Sequence, residues 1–312
     1  MQLQDLPPLI AVVGPTAVGK TALAIELARQ LAGEIVNADS RQIYREMDIG
    51  TAKPTPEEQR AVPHHLLDIV TPAAPFSLAV YSELAMRAVD AITQRRHVPL
   101  LVGGTGQYVA AIVEGWSIPR VAPQPEVRAR LEAEAVQVGA ASLHARLREL
   151  DPPAAAKIEP NNTRRIIRAL EVYEITGRPI SEQQAKQPPP YNITSLWLTL
   201  DRQKLYQRID ARVDAMVAAG LVDEVRGLLA RGYGWELPAM SSLGYKEFRP
   251  YFENRASLGE CIERLKFNTH AFVRKQDMWF RRLPNRVQLP VDQPQLLARA
   301  LAALEPKGRR DG

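Results

Sequence analysis

Eight consecutive residues constrain this chain most: Gly14-Pro15-Thr16-Ala17-Val18-Gly19-Lys20-Thr21. They stand between a short apolar run, Leu9-Ile10-Ala11-Val12-Val13, and a stretch from Thr21 to Leu31 with Leu23, Ile25, Leu27 and Leu31 at helical spacing. Strand, glycine loop and helix in that order form the setting a phosphate-binding loop requires. The glycines let backbone amides turn inward around phosphate oxygens. The following helix points its positive dipole end at the same anion. Lys20 adds a full charge, and the Thr21 hydroxyl can ligate magnesium. The loop announces a phosphate without saying which molecule carries it. A kinase using ATP, or an RNA-binding NTPase switch, would have the same loop.

The rest of the chain says what kind of sheet holds the loop. Glu34-Ile35-Val36-Asn37, Leu66-Leu67-Asp68-Ile69-Val70 and Val98 to Val102 read as further buried strands, and Leu78 to Arg95 as a helix between the last two. Short apolar strands alternating with helices predict a parallel sheet flanked by helices, an α/β fold of the P-loop NTPase type. From about Ile118 to Pro190 the pattern changes. Pro119, Pro123 and Pro125 punctuate its start, helices are expected over Glu126 to Val138, Ser142 to Leu150 and Arg164 to Thr176, and Pro188-Pro189-Pro190 marks its end. This predicts a helical insertion, residues 119–190, within a catalytic core of 1–118 and 191–312. Ile193 to Leu200 reads as a strand returning to the sheet. Helices are expected to dominate afterwards to about Arg282, and the polar tail after Leu301 is expected to fray.

Composition narrows the setting. No run of 18 apolar residues exists to span a membrane, and Met1 to Pro8 lacks the regions of a signal peptide, so a cytoplasmic protein is expected. The single cysteine, Cys261, allows no internal disulfide and reads as a small buried residue. A net charge of +5 is compatible with an anionic partner.

Three further constellations could carry chemistry. Asp39-Ser40 follows the second strand, where ligands bind in open α/β sheets. A carboxylate there can serve as a base, hold magnesium, or simply cap a turn. Gly103-Gly104-Thr105-Gly106 follows Val98 to Val102 and either offers a hydroxyl to the same crevice or merely turns the chain. The third is basic: Arg164, Arg165 and Arg168 share nearby faces of one helix, and Arg264, Lys266, Arg274, Lys275, Arg281, Arg282 and Arg286 interleave with Phe267, Phe272, Trp279 and Phe280. Such a stretch can hold phosphates and stack bases. It can equally be an amphipathic helix with its aromatics in the core and its charges in solvent. His64-His65 has no third partner at ligand spacing and reads as structural. Met240 to Tyr245 reads as a loop with Gly244 in its tight turn.

Taken together, these segments are more telling than any one of them. The phosphate loop is followed by Asn37-Ala38-Asp39-Ser40-Arg41-Gln42-Ile43-Tyr44, Met47-Asp48-Ile49-Gly50-Thr51-Ala52-Lys53-Pro54, Pro63-His64-His65-Leu66-Leu67-Asp68 and Leu101-Val102-Gly103-Gly104-Thr105-Gly106-Gln107-Tyr108. Arg168-Ala169-Leu170-Glu171-Val172, Leu243-Gly244-Tyr245-Lys246 and Lys275-Gln276 continue the series. From about Pro8 to Arg282 the chain resembles the bacterial tRNA dimethylallyltransferases, or tRNA isopentenyltransferases.

The resemblance implies transfer of a dimethylallyl group from dimethylallyl diphosphate to the exocyclic amine of the adenosine just 3′ of the anticodon, in tRNAs reading codons that begin with uridine. Magnesium assists, and the loop Gly14 to Thr21 holds the prenyl diphosphate instead of ATP, with Thr21 as the metal-side hydroxyl. Asp39 resembles the family's general base and Thr105 the threonine beside the bridging oxygen. Arg212 resembles the arginine that clamps the diphosphate together with Lys20. Residues Asp39, Ser40, Arg41, Gln42 and Thr105 match segments that touch tRNA. So do Arg128, Arg164, Arg165, Ile166, Ile167 and Arg168, and also Ser241, Ser242, Leu243, Gly244, Tyr245, Lys246, Lys275 and Gln276. The insertion is expected to grip the anticodon stem, and the enzyme to act as a monomer. The chain departs from the family at Ser241 and His270, where relatives often carry a basic residue, and at Met278, where they carry threonine.

Overall fold

The computed structural model describes residues 6–119, 121 and 124–305. Pro123, most of the N-terminal stretch weighed as a signal peptide and the end of the polar tail lie outside them. Six strands form one parallel sheet: β1 (Pro8–Val13), β2 (Gly33–Asn37), β3 (His64–His65), β4 (Val98–Gly103), β5 (Asn192–Thr199) and β6 (Arg286–Pro290). Their order across the sheet is β3-β2-β4-β1-β5-β6. The loops after β2, β4 and β1 therefore emerge side by side at the carboxyl edge, the edge where open α/β sheets bind ligands.

Both faces of the sheet are buried, which is why β1 is apolar at every position from Leu9. Ile10 and Val12 face a cluster with Leu23 and Leu27 of the Lys20–Gln30 helix and Leu205 and Ile209 of the Arg202–Ala218 helix. Leu9, Ala11 and Val13 face Tyr81, Val89 and Ile92 of the Leu78–Gln94 helix, joined by Val109 and Ile112 of the Gly106–Val113 helix. Period-two alternation sends alternate side chains to opposite faces, and two helical layers cover them.

Several expectations change. Leu66 to Val70 is not a strand. Leu66 and Asp68 hold positive φ of 64° and 55°, which extended pairing forbids, and only His64 and His65 pair with β2. The chain beyond Arg282 adds the edge strand β6 and the Leu296–Leu304 helix, which runs past Leu301.

Residues 115–188 form a compact unit of their own, separate from the unit of 1–114 and 189–312, against the expected insertion of 119–190. Helices Pro125–Val138, Ala140–Leu150 and Thr163–Thr176 pack Leu131, Leu143, Leu147, Ile166 and Leu170 into one core. The two ends of this unit are stapled together. Trp116 bridges antiparallel to Lys186, Ser117 N donates to Ala185 O at 2.8 Å, and Gln187 N donates to Gly115 O at 2.9 Å.

Candidate active site

The Lys20–Gln30 helix starts at Gly19, whose φ of 101° places it in the left-handed region glycine favours. No side chain caps the helix, and no acidic residue sits in its first turn. Its first amides are therefore left to an outside anion. Ala17, also left-handed at φ 63°, bends the loop inward. Lys20 folds back over it, donating to Pro15 O at 2.8 Å. Burial lowers the ammonium pKa to about 8, against the charge of Asp39, which raises it; Arg212 lowers it further.

Asp39 follows β2 and is fixed on both sides. Asn37 Oδ1 accepts from Asp39 N at 3.0 Å, and Asn37 Nδ2 donates to Asp39 O and to Leu66 O, each at 3.1 Å. One carboxylate oxygen, Oδ1, accepts from Arg41 N at 2.8 Å. The turn-capping reading of this residue holds at Oδ1, while Oδ2 takes no hydrogen bond among the described residues. Thr105, after β4, is tied to the same loop: Ser40 N donates to its Oγ1 at 2.9 Å, and Oγ1 donates to Ser40 Oγ at 3.2 Å. Arg212 comes from the Arg202–Ala218 helix, which Asp201 caps at Gln203 N and Lys204 N. Burial lowers its pKa, opposed by the charges of Asp39 and Glu58. Lys20 and Arg212 both feel Asp39, yet no ion pair joins them to it among the described residues.

Two scaffolds hold these loops. Glu224, on the Leu221–Ala230 helix, accepts from the amides of Asp48, Ile49 and Gly50 at 2.9, 2.8 and 3.0 Å and from Tyr245 Oη at 2.6 Å. Gln42 donates onward to Thr51 O and Ala52 O. The second scaffold is Gln276, whose Oε1 accepts from Thr16 N at 2.9 Å while Nε2 donates to Gly104 O at 2.8 Å. A Cβ on Gly104 would stand 2.5 Å from that nitrogen, so any larger residue there would displace the Gln276 amide.

The residues matched to RNA-touching segments divide by burial. Arg164, Arg165, Ser241, Lys246 and Lys275 are exposed. Ile166 and Ile167 are in the core of their unit, and Ser242, Gly244, Tyr245 and Gln276 are buried in theirs, so their side chains serve the scaffold. Arg128 and Arg168 both bind the buried Glu171, at 2.9 and 2.8 Å. Burial would raise the Glu171 pKa, but Arg168, Gln124 N and Arg128 lower it overall. His270 binds Asp210 at 2.8 Å and stacks on Tyr206 at 4.0 Å, which joins the Arg202–Ala218 and Leu258–Phe280 helices. Of the aromatics interleaved with basic residues, only Phe280 is fully buried; Phe267 is 69% exposed and Phe272 40%. Cys261 is buried as expected.

No group of three or more histidine, cysteine or carboxylate side chains suited to a metal exists among the described residues. Thr21, half-buried in the first turn of the uncapped helix, fits a magnesium ion held mainly by substrate phosphates and water.

Comparison with known proteins bears on this arrangement. The IPP transferase family model matches residues 42–283, and the isopentenyl transferase model matches residues 7–69. A tRNA dimethylallyltransferase of Roseiflexus castenholzii is 65% identical over 95% of this chain and 96% of its own. One of Chloroflexus aggregans is 64% identical over 89% and 94%. The crystal structure of a tRNA isopentenylpyrophosphate transferase from Bacillus halodurans superposes with a TM-score of 0.70 at 41% identity, covering 94% of each chain. A eukaryotic dimethylallyltransferase acting on tRNA gives 0.78 at 28% identity, over 91% of this chain and 74% of that one.

Proposed function

The chain belongs to the IPP transferase family of tRNA-modifying prenyltransferases, and from that premise we propose that its donor is dimethylallyl diphosphate and its acceptor the exocyclic amine of the adenosine 3′-adjacent to the anticodon, in tRNAs reading codons that begin with uridine. It works as a monomer in the cytoplasm. No helix among the described residues is long and apolar enough to cross a membrane.

One observation carries the reading. An uncapped helix start, the half-buried Lys20 and Arg212, and an oriented carboxylate, Asp39, converge on one sheet edge without neutralising each other. In the transfer, the amine nitrogen bonds to the allylic carbon as that carbon's bond to the diphosphate oxygen breaks. Negative charge grows on the leaving diphosphate. Loop amides, Lys20 and Arg212 stabilise it there, and one such donor is worth about 3 kcal/mol of barrier. Thr21 would offer its hydroxyl to a magnesium ion at this edge, and such an ion would supply further charge neutralisation. The adenine amine is a weak nucleophile whose proton becomes acidic only as the new bond forms. A carboxylate with an open oxygen accepts it late, the role given to Asp39. Thr105 steadies the bridging oxygen. The base must leave its stack to reach the donor, at a cost of a few kcal/mol. The exposed Arg164 and Arg165 supply phosphate contacts for the anticodon stem.

The test is incubation with radiolabelled dimethylallyl diphosphate, magnesium and unmodified tRNA, with ATP in parallel. Label should pass to RNA, and ATP should be neither consumed nor competitive. ATP consumption without label transfer would replace the prenyl donor with a phosphoryl donor.

A further inference from the structure

One side chain touches both loops between which the transfer runs. Gln276 lies about one turn before the C-terminal end of the Leu258–Phe280 helix and is only 4% exposed, while its neighbours Arg274 and Lys275 are exposed. Its amide spans the diphosphate loop at Thr16 N and the Thr105-bearing loop at Gly104 O. Those partners fix which end of the amide is which, because a backbone N–H can only donate and a carbonyl can only accept. The missing Cβ of Gly104 would also lie 3.7 Å from Lys20 Nζ, so Gln276 and the catalytic ammonium flank the same glycine.

We infer that Gln276 is a positioning residue for the transfer step and not an RNA contact: it sets the separation between the loop that holds the leaving diphosphate and the loop that carries Thr105. This rests on the prenyl-transfer reading for its kinetic arm alone. A planar amide with a donor at one end and an acceptor at the other bridges an N–H and a carbonyl at fixed spacing. A carboxylate would face Gly104 O with a second acceptor, and an apolar chain would satisfy neither loop. A backbone group left unpaired in a buried site is costly, so the loops would move to find other partners. A shift of about 1 Å in such a site costs roughly 100-fold in rate.

Four variants test this: Gln276→Met, Gln276→Glu, Gly104→Ala and the double variant Gln276→Met with Gly104→Ala. Binding of inorganic diphosphate with magnesium is read by calorimetry, tRNA binding by filter retention, and kcat by label transfer. Both Gln276 variants should weaken diphosphate binding about tenfold and lower kcat further, with tRNA affinity within about twofold of wild type. Gly104→Ala, which pushes on the same nitrogen from the other side, should do likewise. The double variant should be no worse than the worse single, because both act through one contact. Weakened tRNA binding with diphosphate binding intact would overturn the inference and return Gln276 to the RNA surface. Full additivity in the double variant would overturn it too. Absence of label transfer by the wild-type enzyme would strike the proposed function, while the two binding measurements would still decide the role of Gln276.

Discussion

Strand β2 has a carboxylate near each end, and the two live under opposite rules. Glu34, near its start, is 4% exposed and saturated: His65 Nε2 and Arg95 reach Oε2 at 2.6 and 2.8 Å, and His97 Nδ1 reaches Oε1 at 2.7 Å. Burial alone would raise its pKa, but the hydrogen bonds from Arg95, His65 and His97 win and hold it at about 2. Asp39, just past the strand's other end, stands near two cations and pairs with neither. A matched cluster gives its electrostatic energy to the fold. An unmatched one keeps it for a ligand whose charge completes the set. The carboxyl edge of the sheet is where that reserve is held.

The sharpest way to break this contrast is at Asp39. Asp39→Asn keeps an Oδ1 for Arg41 N and removes the proposed base. Transfer should fall about 1,000-fold in a single-turnover label assay, with the melting midpoint nearly unchanged. A wild-type rate would remove Asp39 from the chemistry. The mirror experiment is Glu34→Gln, which should lower unfolding free energy by about 3 kcal/mol in urea titration and leave the transfer rate at 25 °C within about twofold. The same difference should appear with pH. A carboxyl depressed from 4.5 to about 2 contributes stability that is fully present above 4.5 and lost as pH falls through about 2. The wild-type advantage over the glutamine variant should therefore shrink by about 3 kcal/mol across that window. The smallest effect sits at Lys20. With its pKa lowered to about 8, the free enzyme loses the ammonium above that value. Affinity for the proposed prenyl diphosphate donor should weaken by up to about tenfold per pH unit beyond it. A flat profile to pH 10 would show the charge to be unnecessary for binding.

The sequence made the site's floor plain and its walls obscure. β1, β2, β4 and β5 are apolar runs because both faces of the sheet are covered, and such runs are legible without partners. β6, Arg-Val-Gln-Leu-Pro, is an edge strand with one buried residue, Leu289, so it carries almost no apolar signal. Leu66 to Val70 has the apolar content of a strand, but positive φ at two positions turns it into a loop braced by Lys53, whose Nζ binds Asp48 and Asp68. Lys20, Asp39 and Thr105 sit at strand ends that motif and topology both mark. Arg212 has no such local sign; it is one arginine on an amphipathic helix that also bears Arg202 and Arg208, and only family resemblance singled it out. Glu34 and Glu224 escaped, and Gln276 was matched to an RNA-touching segment instead of to the two loops it bridges, because their partners lie between 21 and 260 residues away in the chain. A side chain's long-range hydrogen bonds leave no periodicity to read.

The stapled ends of the 115–188 unit have a consequence for gene architecture. A segment that leaves and rejoins the chain through neighbouring, hydrogen-bonded residues is a cassette. With Gly115 O and Gln187 N already in contact, a short turn from residue 114 to residue 189 would close the remaining chain. The cassette holds its own core of Leu131, Leu143, Leu147 and Ile166 and its own buried Glu171 cluster. Recombination at these two joints would exchange, lengthen or trim the cassette as one piece, and a gene-shuffling library built there would vary the helical unit while leaving the sequence of the Gly14 to Thr21 loop untouched.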